Sequence, residues 1–228
     1  MKSRAPRRAA AFAGLLLLAA CATPTETPPE CPLGPPTADS ADELLAGATA
    51  VEVTTNKGSF TVQLEPESAP VATATFVALA RCGFYDGISF HRVIAGFVIQ
   101  AGDPQTRDNH GDFAGVGTGG PGYHYEVELP PASTTYRKYM VAMANALQYD
   151  PGTGEIQGGT DTNGSQFFVM LADAPELRPY YSVLGSVTGG TETIDAIGKL
   201  PTTGDPTNVP VDPAIIESMT VQEAATPS

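Results

Sequence analysis

The sequence predicts a mainly β fold in which an antiparallel sheet closes into a barrel or packs as a sandwich. Three observations predict it. Short runs rich in β-branched and aromatic residues recur along the chain, only two stretches read as helices, and strands and helices do not alternate as they do around a parallel sheet. The length of 228 residues suits one medium domain with chain to spare for a tail, and 24 Gly and 21 Pro promise many turns.

The elements follow in order. Val51, Val53 and Thr55 alternate with polar neighbours, Asn56-Lys57-Gly58-Ser59 is turn chemistry, and Phe60, Val62 and Leu64 resume the alternation, which makes a hairpin. Ser68-Ala69-Pro70 reads as a helix start, with Val71, Phe76 and Leu79 on the buried side and Gly83 as the stop. Further β-like runs cover 93–100, 139–144, 166–171, 182–187 and 215–221, with a short helix over 191–197. No internal repeat is visible.

Charge removes several function classes. Twelve Lys and Arg stand against 25 Asp and Glu, a net charge of −13 that repels nucleic acid and anionic lipid alike. No run approaches the ~20 apolar residues of a spanning helix. The N-terminus has its own logic. Lys2, Arg4, Arg7 and Arg8 precede an apolar run from Ala9 to Ala20 that ends Leu18-Ala19-Ala20-Cys21. A basic head, a short apolar middle and small residues before a cysteine resemble a bacterial lipoprotein signal, in which Cys21 is lipidated and becomes the first residue. The alternative is an ordinary cleaved signal peptide with Cys21 incidental. Removing the leader takes away four cations and no acid, so membrane attachment would rest on acyl chains rather than charge. Six prolines between Ala22 and Ser40 mark an extended spacer. The expected division is a leader over 1–20, a Pro-rich tether over 21–48, the folded domain over 49–224 and a tail over 225–228.

Three segments carry the functional signal: Phe90 to Gln100 (FHRVIAGFVIQ), Met143-Ala144-Asn145-Ala146, and Asp161 to Val169 (DTNGSQFFV). They resemble the cyclophilin peptidyl-prolyl isomerases. Tyr85-Asp86-Gly87, Gly117 to Tyr123 and Tyr181 to Gly185 are lesser matches in the same order, and the resemblance spans residues 50 to 222. It implies a closed eight-stranded antiparallel barrel capped by two helices, with the substrate groove on the outer face, and proline-containing polypeptides as substrates. By the same resemblance Arg92 matches the catalytic arginine, and Phe97 and Phe168 match walls of the proline pocket. Val98 stands where the family usually has Met. Gln100, Ala144, Asn145 and Gln166 match residues that contact the substrate backbone or orient the arginine, and Leu177 and Tyr181 match the pocket's far side. Neither metal nor cofactor is implied, and the expected state is a monomer. His91 is assigned a structural, hydrogen-bonded role, because no second histidine or serine elbow accompanies it.

Each residue taken alone has a plainer reading: Arg92 as a surface cation, the phenylalanines as core, the amides as exposed strand ends. The chain also departs from the family. It has no Trp, which many members carry near Leu177, and fourteen residues, Leu147 to Thr160, stand where the pattern has a few. Asp150, Glu155 and Asp161 there fit no EF-hand spacing, so a solvated loop is expected. Cys31 and Cys82 lie on the exported part and are candidates for a disulfide, the alternative being a buried free Cys82 and a mobile Cys31. The leading expectation is an isomerase held by lipid on the outer side of the cell membrane, assisting the folding of exported proteins. A proline-peptide binder without turnover and a scaffold lipoprotein are the other readings.

Overall fold

The computed structural model describes residues 29–111 and 113–224. The lipidation candidate Cys21, the leader and the 225–228 tail lie outside the described residues. Among those described, no helix is long and apolar enough to cross a membrane.

The predicted first hairpin forms from β1 (Ala48–Thr55) and β2 (Gly58–Leu64), paired from Ala50↔Gln63 to Thr55↔Gly58. Thr55 closes the turn: its hydroxyl donates to the Gly58 carbonyl at 2.7 Å and accepts from the Lys57 N–H at 3.1 Å. The helix α2 (Pro70–Arg81) follows with Pro70 in its first turn. Ser68 does not cap it. Instead the Glu128 carboxylate, from a distant loop, accepts from the N–H groups of Val71 and Ala72 at 3.1 and 2.7 Å, placing negative charge at the positive end of the helix.

The apolar run at 93–100 is not one strand. Gly96, at φ +71°, turns the chain with an N–H to carbonyl bond from Phe97 to Ile94, giving β3 (Arg92–Ile94) and β4 (Val98–Ala101). The remaining strands of the main sheet are β5 (Met140–Met143), β8 (Phe167–Met170), β9 (Val183–Gly189) and β10 (Ile216–Glu223), with α3 (Thr191–Ile197) between the last two. They assemble as an eight-stranded antiparallel half-barrel in the order β10-β1-β2-β9-β5-β8-β4-β3.

The expected closure is not met, since the end strands β3 and β10 do not pair. A loop from far along the chain occupies the edge. Its Asn208 carbonyl accepts from the Val93 N–H, and among the described residues the gap is spanned by an isolated bridge, Ser89↔Ile215, with bonds from the N–H groups of Gly87 to Ile216, Phe90 to Ala214 and Ile216 to Ile88.

Strand alternation gives the sheet two apolar faces. Ile99, Val141, Phe167 and Val169 point inward with Val53, Phe60 and Val62 and meet Phe76 and Leu79 of α2 and Ile194 of α3 in the main core. Val98, Ala142, Phe168 and Met170 point outward and form a second, smaller cluster with Tyr136 and Val183.

Two expectations are corrected at the edges. The extended spacer expected from Ala22 to Ser40 gives way before its end to a third helix, α1 (Ala38–Leu45), which starts at a Thr37/Ser40 capping box and buries Ala41. Arg81 of α2 donates to its Leu44 carbonyl and pairs with Glu223 of β10, and Cys31 is bonded to Cys82 at the end of α2. The segment Leu147 to Thr160 is solvated as expected, but it is an ordered hairpin rather than a loop, β6 (Gln148–Tyr149) with β7 (Ile156–Gly158).

The disulfide closes a span of 51 residues containing α1, β1, β2 and α2. A paired Cys31→Ser, Cys82→Ser variant is expected to unfold in urea with a free energy lower by about 2–4 kcal/mol. An unchanged midpoint would show that the cross-link leaves the unfolded chain's entropy untouched.

Candidate active site

The site lies on the outward face, and strand register builds it. Arg92 pairs with Gln100, Gln100 with Phe168, and Phe168 with Ala142, so one row of neighbours crosses four strands. Around that row Arg92, Phe97, Val98, Gln100, Ala144, Asn145, Phe168, Leu177 and Tyr181 line a single cavity of about 120 Å³. Nine of the ten groove residues expected from the sequence therefore meet. The tenth, Gln166, lines an adjoining cavity of about 410 Å³ that shares Gln100, Ala144 and Asn145 and is bordered by Gly117 to Gly120 and Thr162. The smaller cavity falls well below the ~300 Å³ of drug-sized pockets and suits one small side chain.

Val98 and Phe168 are 2% and 5% exposed and form its floor, on the outer apolar cluster. Tyr181 stands edge-on to Phe168, ring centres 5.2 Å apart at 89°. Leu177 is half-buried in the wall, whereas its neighbour Glu176 is exposed.

The guanidinium is held by a chain of amides. Arg92 Nη1 donates to Gln100 Oε1 at 3.2 Å, Gln100 Nε2 donates to Gln166 Oε1 at 2.8 Å, and Gln166 Nε2 donates to the carbonyls of Gly117 and Gly119 at 2.9 and 2.8 Å. Asp103 anchors that glycine loop, accepting from the N–H groups of Gly117 at 2.6 Å and Gln105 at 2.9 Å. A Cβ on Gly119 would lie 2.0 Å from Asp103 Oδ1, so glycine is required there. Each amide has one donor and one acceptor end engaged, which fixes its orientation and leaves the rest of the guanidinium free to face the cavity.

The Asn145 side chain is engaged within the protein, Nδ2 donating to the Tyr180 carbonyl at 2.8 Å and Oδ1 accepting from the Leu147 N–H at 3.2 Å. His91 is a buried structural residue, 3% exposed, with the Ser89 backbone beside its ring. Burial, reinforced by Arg92 and opposed by Asp103 and by the backbone hydrogen bond with Ser89, lowers its pKa to about 4, so it is neutral beside the arginine.

The same segments match a family model, that of cyclophilin type peptidyl-prolyl cis-trans isomerases, over residues 50–221. The chain belongs to the cyclophilin family. Similar proteins include the peptidyl-prolyl cis-trans isomerase of Helicobacter pylori strain J99, 37% identical over 164 residues, 72% of this chain and 88% of that one. The peptidyl-prolyl cis-trans isomerase A of Mycobacterium tuberculosis is 37% identical over 194 residues, 78% of this chain and 93% of that one. Among solved structures, a cyclophilin type isomerase of Cryptosporidium parvum superposes with a TM-score of 0.63 at 30% identity, covering 78% of this chain and 99% of that one. A second crystal structure of that protein, obtained in the presence of the dipeptide Ala-Pro, gives 0.62. The chain is thus a peptidyl-prolyl cis-trans isomerase, and the cyclophilin family binds proline-containing peptides.

Several residues of this cyclophilin site escaped the sequence reading. Buried Tyr136 donates its hydroxyl to the Tyr181 carbonyl at 2.9 Å and accepts from the Tyr181 N–H at 3.0 Å, pinning the pocket wall. Asp103, Arg178 and Tyr180 sit beside groove residues in sequence but make their contacts with segments elsewhere in the chain, which no local pattern flags.

His91 generates a pH prediction. Its folded pKa of about 4 lies below the ordinary imidazole value of 6.5, so the unfolded chain takes up the proton first as pH falls. Its contribution to stability is complete above pH 6.5 and declines down to pH 4, by up to about 3 kcal/mol. His91→Gln should show a flatter dependence of urea midpoint on pH across that window; parallel curves would contradict the assignment.

Proposed function

We propose that this isomerase works outside the cytoplasm, held to the cell membrane by lipid on Cys21, and that it assists the folding of exported proteins. The leader supports export: four cations, a short apolar run and Leu18-Ala19-Ala20-Cys21. The bonded Cys31 and Cys82 support an oxidising compartment. A net charge of −13 favours acyl chains over electrostatic adhesion. One chain supplies every residue of the cavity, so a monomer suffices.

The proposed mechanism rests on the alignment of Arg92 with the proline cavity. Rotation about an X-Pro bond is opposed by amide resonance with a barrier of ~20 kcal/mol. No bond is broken. As the amide twists, the prolyl nitrogen regains its lone pair and becomes an acceptor, and Arg92 donates to it more strongly in the twisted state than in either planar one. That charge-assisted bond contributes ~1.5–3 kcal/mol, while a million-fold acceleration needs ~8 kcal/mol. The difference is assigned to positioning: Phe97, Val98, Phe168 and Leu177 grip the ring, and Gln100 and the Asn145 main chain hold the flanking backbone as the other carbonyl swings.

The alternatives are a proline-peptide binder without turnover and a scaffold lipoprotein. Arg92, held by a hydrogen-bond chain through Gln100 and Gln166 that forks to the Gly117 and Gly119 carbonyls, weighs against both. In a protease-coupled assay on a proline peptide, Arg92→Ala is expected to lose about tenfold to hundredfold in rate, with the fold unchanged by circular dichroism. Wild-type activity equal to that of the variant would favour the binder.

Anchoring is tested by fractionation. Cys21→Ser should move the protein out of the membrane fraction, because the acidic surface offers no second attachment. Retention in the membrane equal to wild type would overturn the lipid assignment.

A further inference from the structure

The wall of the proline cavity that carries Leu177 and Tyr181 belongs to no strand of the sheet. Such a segment keeps its shape only through contacts made by its side chains and backbone with neighbouring elements. One anchor is Tyr136, which exchanges two hydrogen bonds with the backbone of Tyr181. The other comes from the fourteen-residue insertion.

Between Leu177 and Tyr181, Arg178 and Tyr180 both dock into the turn of the β6–β7 hairpin. Arg178 Nη2 donates to the Pro151 carbonyl at 3.1 Å, and its guanidinium lies 5.7 Å from the centre of the Tyr149 ring. The Tyr180 hydroxyl donates to the Gly154 carbonyl, and its ring meets Tyr149 edge-on, centres 5.1 Å apart. The fit is close: a Cβ on Gly154 would lie 2.1 Å from Arg178 Nη1 and 3.1 Å from the Tyr180 hydroxyl. The hairpin is itself stiffened by Asp150, whose carboxylate accepts from the N–H groups of Gly152 and Thr153 at 2.9 and 2.7 Å. On the groove side Asn145 completes the clamp, bonding the Tyr180 carbonyl with one end of its amide and the Leu147 N–H, at the hairpin's root, with the other.

We propose that the β6–β7 hairpin is a positioning element of the isomerase site, acting through Arg178 and Tyr180 to hold the Leu177–Tyr181 wall against the bound proline. Neither residue lines the proline cavity, yet each is the immediate neighbour of one that does. Arg92 is oriented from the opposite side, through Gln100 and Gln166, and shares no hydrogen bond with the hairpin. The hairpin therefore governs how tightly the ring is held and leaves the arginine's action on the twisted amide intact.

The inference rests on the isomerase reading of the cavity, and the test separates the two. Nuclear magnetic resonance exchange on an Ala-Ala-Pro-Phe peptide gives affinity and the isomerisation rate of the bound peptide independently. Arg178→Ala and Tyr180→Phe are made in the whole chain, and Arg178→Ala also in a chain whose residues 149–157 are replaced by Gly-Gly. Each point variant is expected to weaken affinity about three- to tenfold, with the bound-state rate within about twofold of wild type. The shortened chain should show the same loss, and Arg178→Ala should add nothing to it. Wild-type affinity in both point variants overturns the proposal, whether or not the shortened chain folds. So does an Arg178→Ala effect that persists in full without the hairpin, which would mean direct contact with the peptide. Absence of bound-state exchange in the wild type would instead defeat the isomerase reading, while the affinities still report on the wall.

Discussion

Two adjacent phenylalanines divide this molecule between stability and function. Phe167 points into the half-barrel, where it packs edge-on against Phe76, Tyr85 and Phe90, and Phe168 points out, where it floors the proline cavity. The period of two along β8 leaves no other arrangement, since a one-residue slip would exchange the faces. Every other component is placed relative to that strand. β4 lies beside it and presents Gln100 outward and Ile99 inward, and β5, on its other side, presents Ala142 outward and Val141 inward. The inner face can be packed for stability while the outer one remains an open, half-buried surface for a ligand.

A half-buried arginine on such a surface has many ways to be wrong. Its stem has several rotatable bonds, and an unheld guanidinium would sample solvent for most of the time. The chain from the Gly117 and Gly119 carbonyls through Gln166 and Gln100 removes that freedom without neutralising the charge, because amides rather than carboxylates do the holding. A carboxylate partner would bind more strongly and would lower the donor strength left for the substrate. The buried carboxylate of Asp103 is set one layer back, on the loop backbone, and the neighbouring His91 stays neutral through burial. The acidic protein thus keeps a cation undiluted at its groove.

Eight of the ten groove residues were legible in the sequence because they sit in three short segments whose order and spacing are strict, and β4 and β8 bring two of those segments side by side, whereas Leu177 and Tyr181 lie beyond them. Strand positions and α3 were legible from alternation and turn residues. The division of 93–100 into two strands was not, since Gly96 in an apolar run is compatible with a continuous strand until its φ is known. The capping box at Thr37 and Ser40 was present in the sequence but masked by the prolines around it. Barrel closure failed as an expectation because it depends on what lies along an edge, here the loop at Asn208, and that is a long-range fact. Tyr136 and Asp103 act across 45 and 14 residues of chain, and Arg178 and Tyr180 across 27 and 26, beyond any local pattern.

Energetics explain why so much of the structure serves to hold things still. Burying the three methylenes of a prolyl ring is worth roughly 2–3 kcal/mol, but the ring is buried equally in the cis, trans and twisted states. Uniform burial of that kind improves affinity and leaves the barrier where it was. In the mechanism we propose, acceleration comes only from terms that change as the amide turns: the Arg92 hydrogen bond to the prolyl nitrogen, and the resistance of a fixed ring and a fixed flanking backbone to turning with it. The second term needs a stiff cavity floor. The floor is stiff because Val98 and Phe168 belong to paired strands. The far wall has no strand, and side chains, Tyr136 from within and Arg178 and Tyr180 from the hairpin, hold it over the ring and so set how tightly the ring is kept. An isomerase that breaks no bonds has little chemistry to perform, and the precision of its walls takes the place that reactive groups hold in other enzymes.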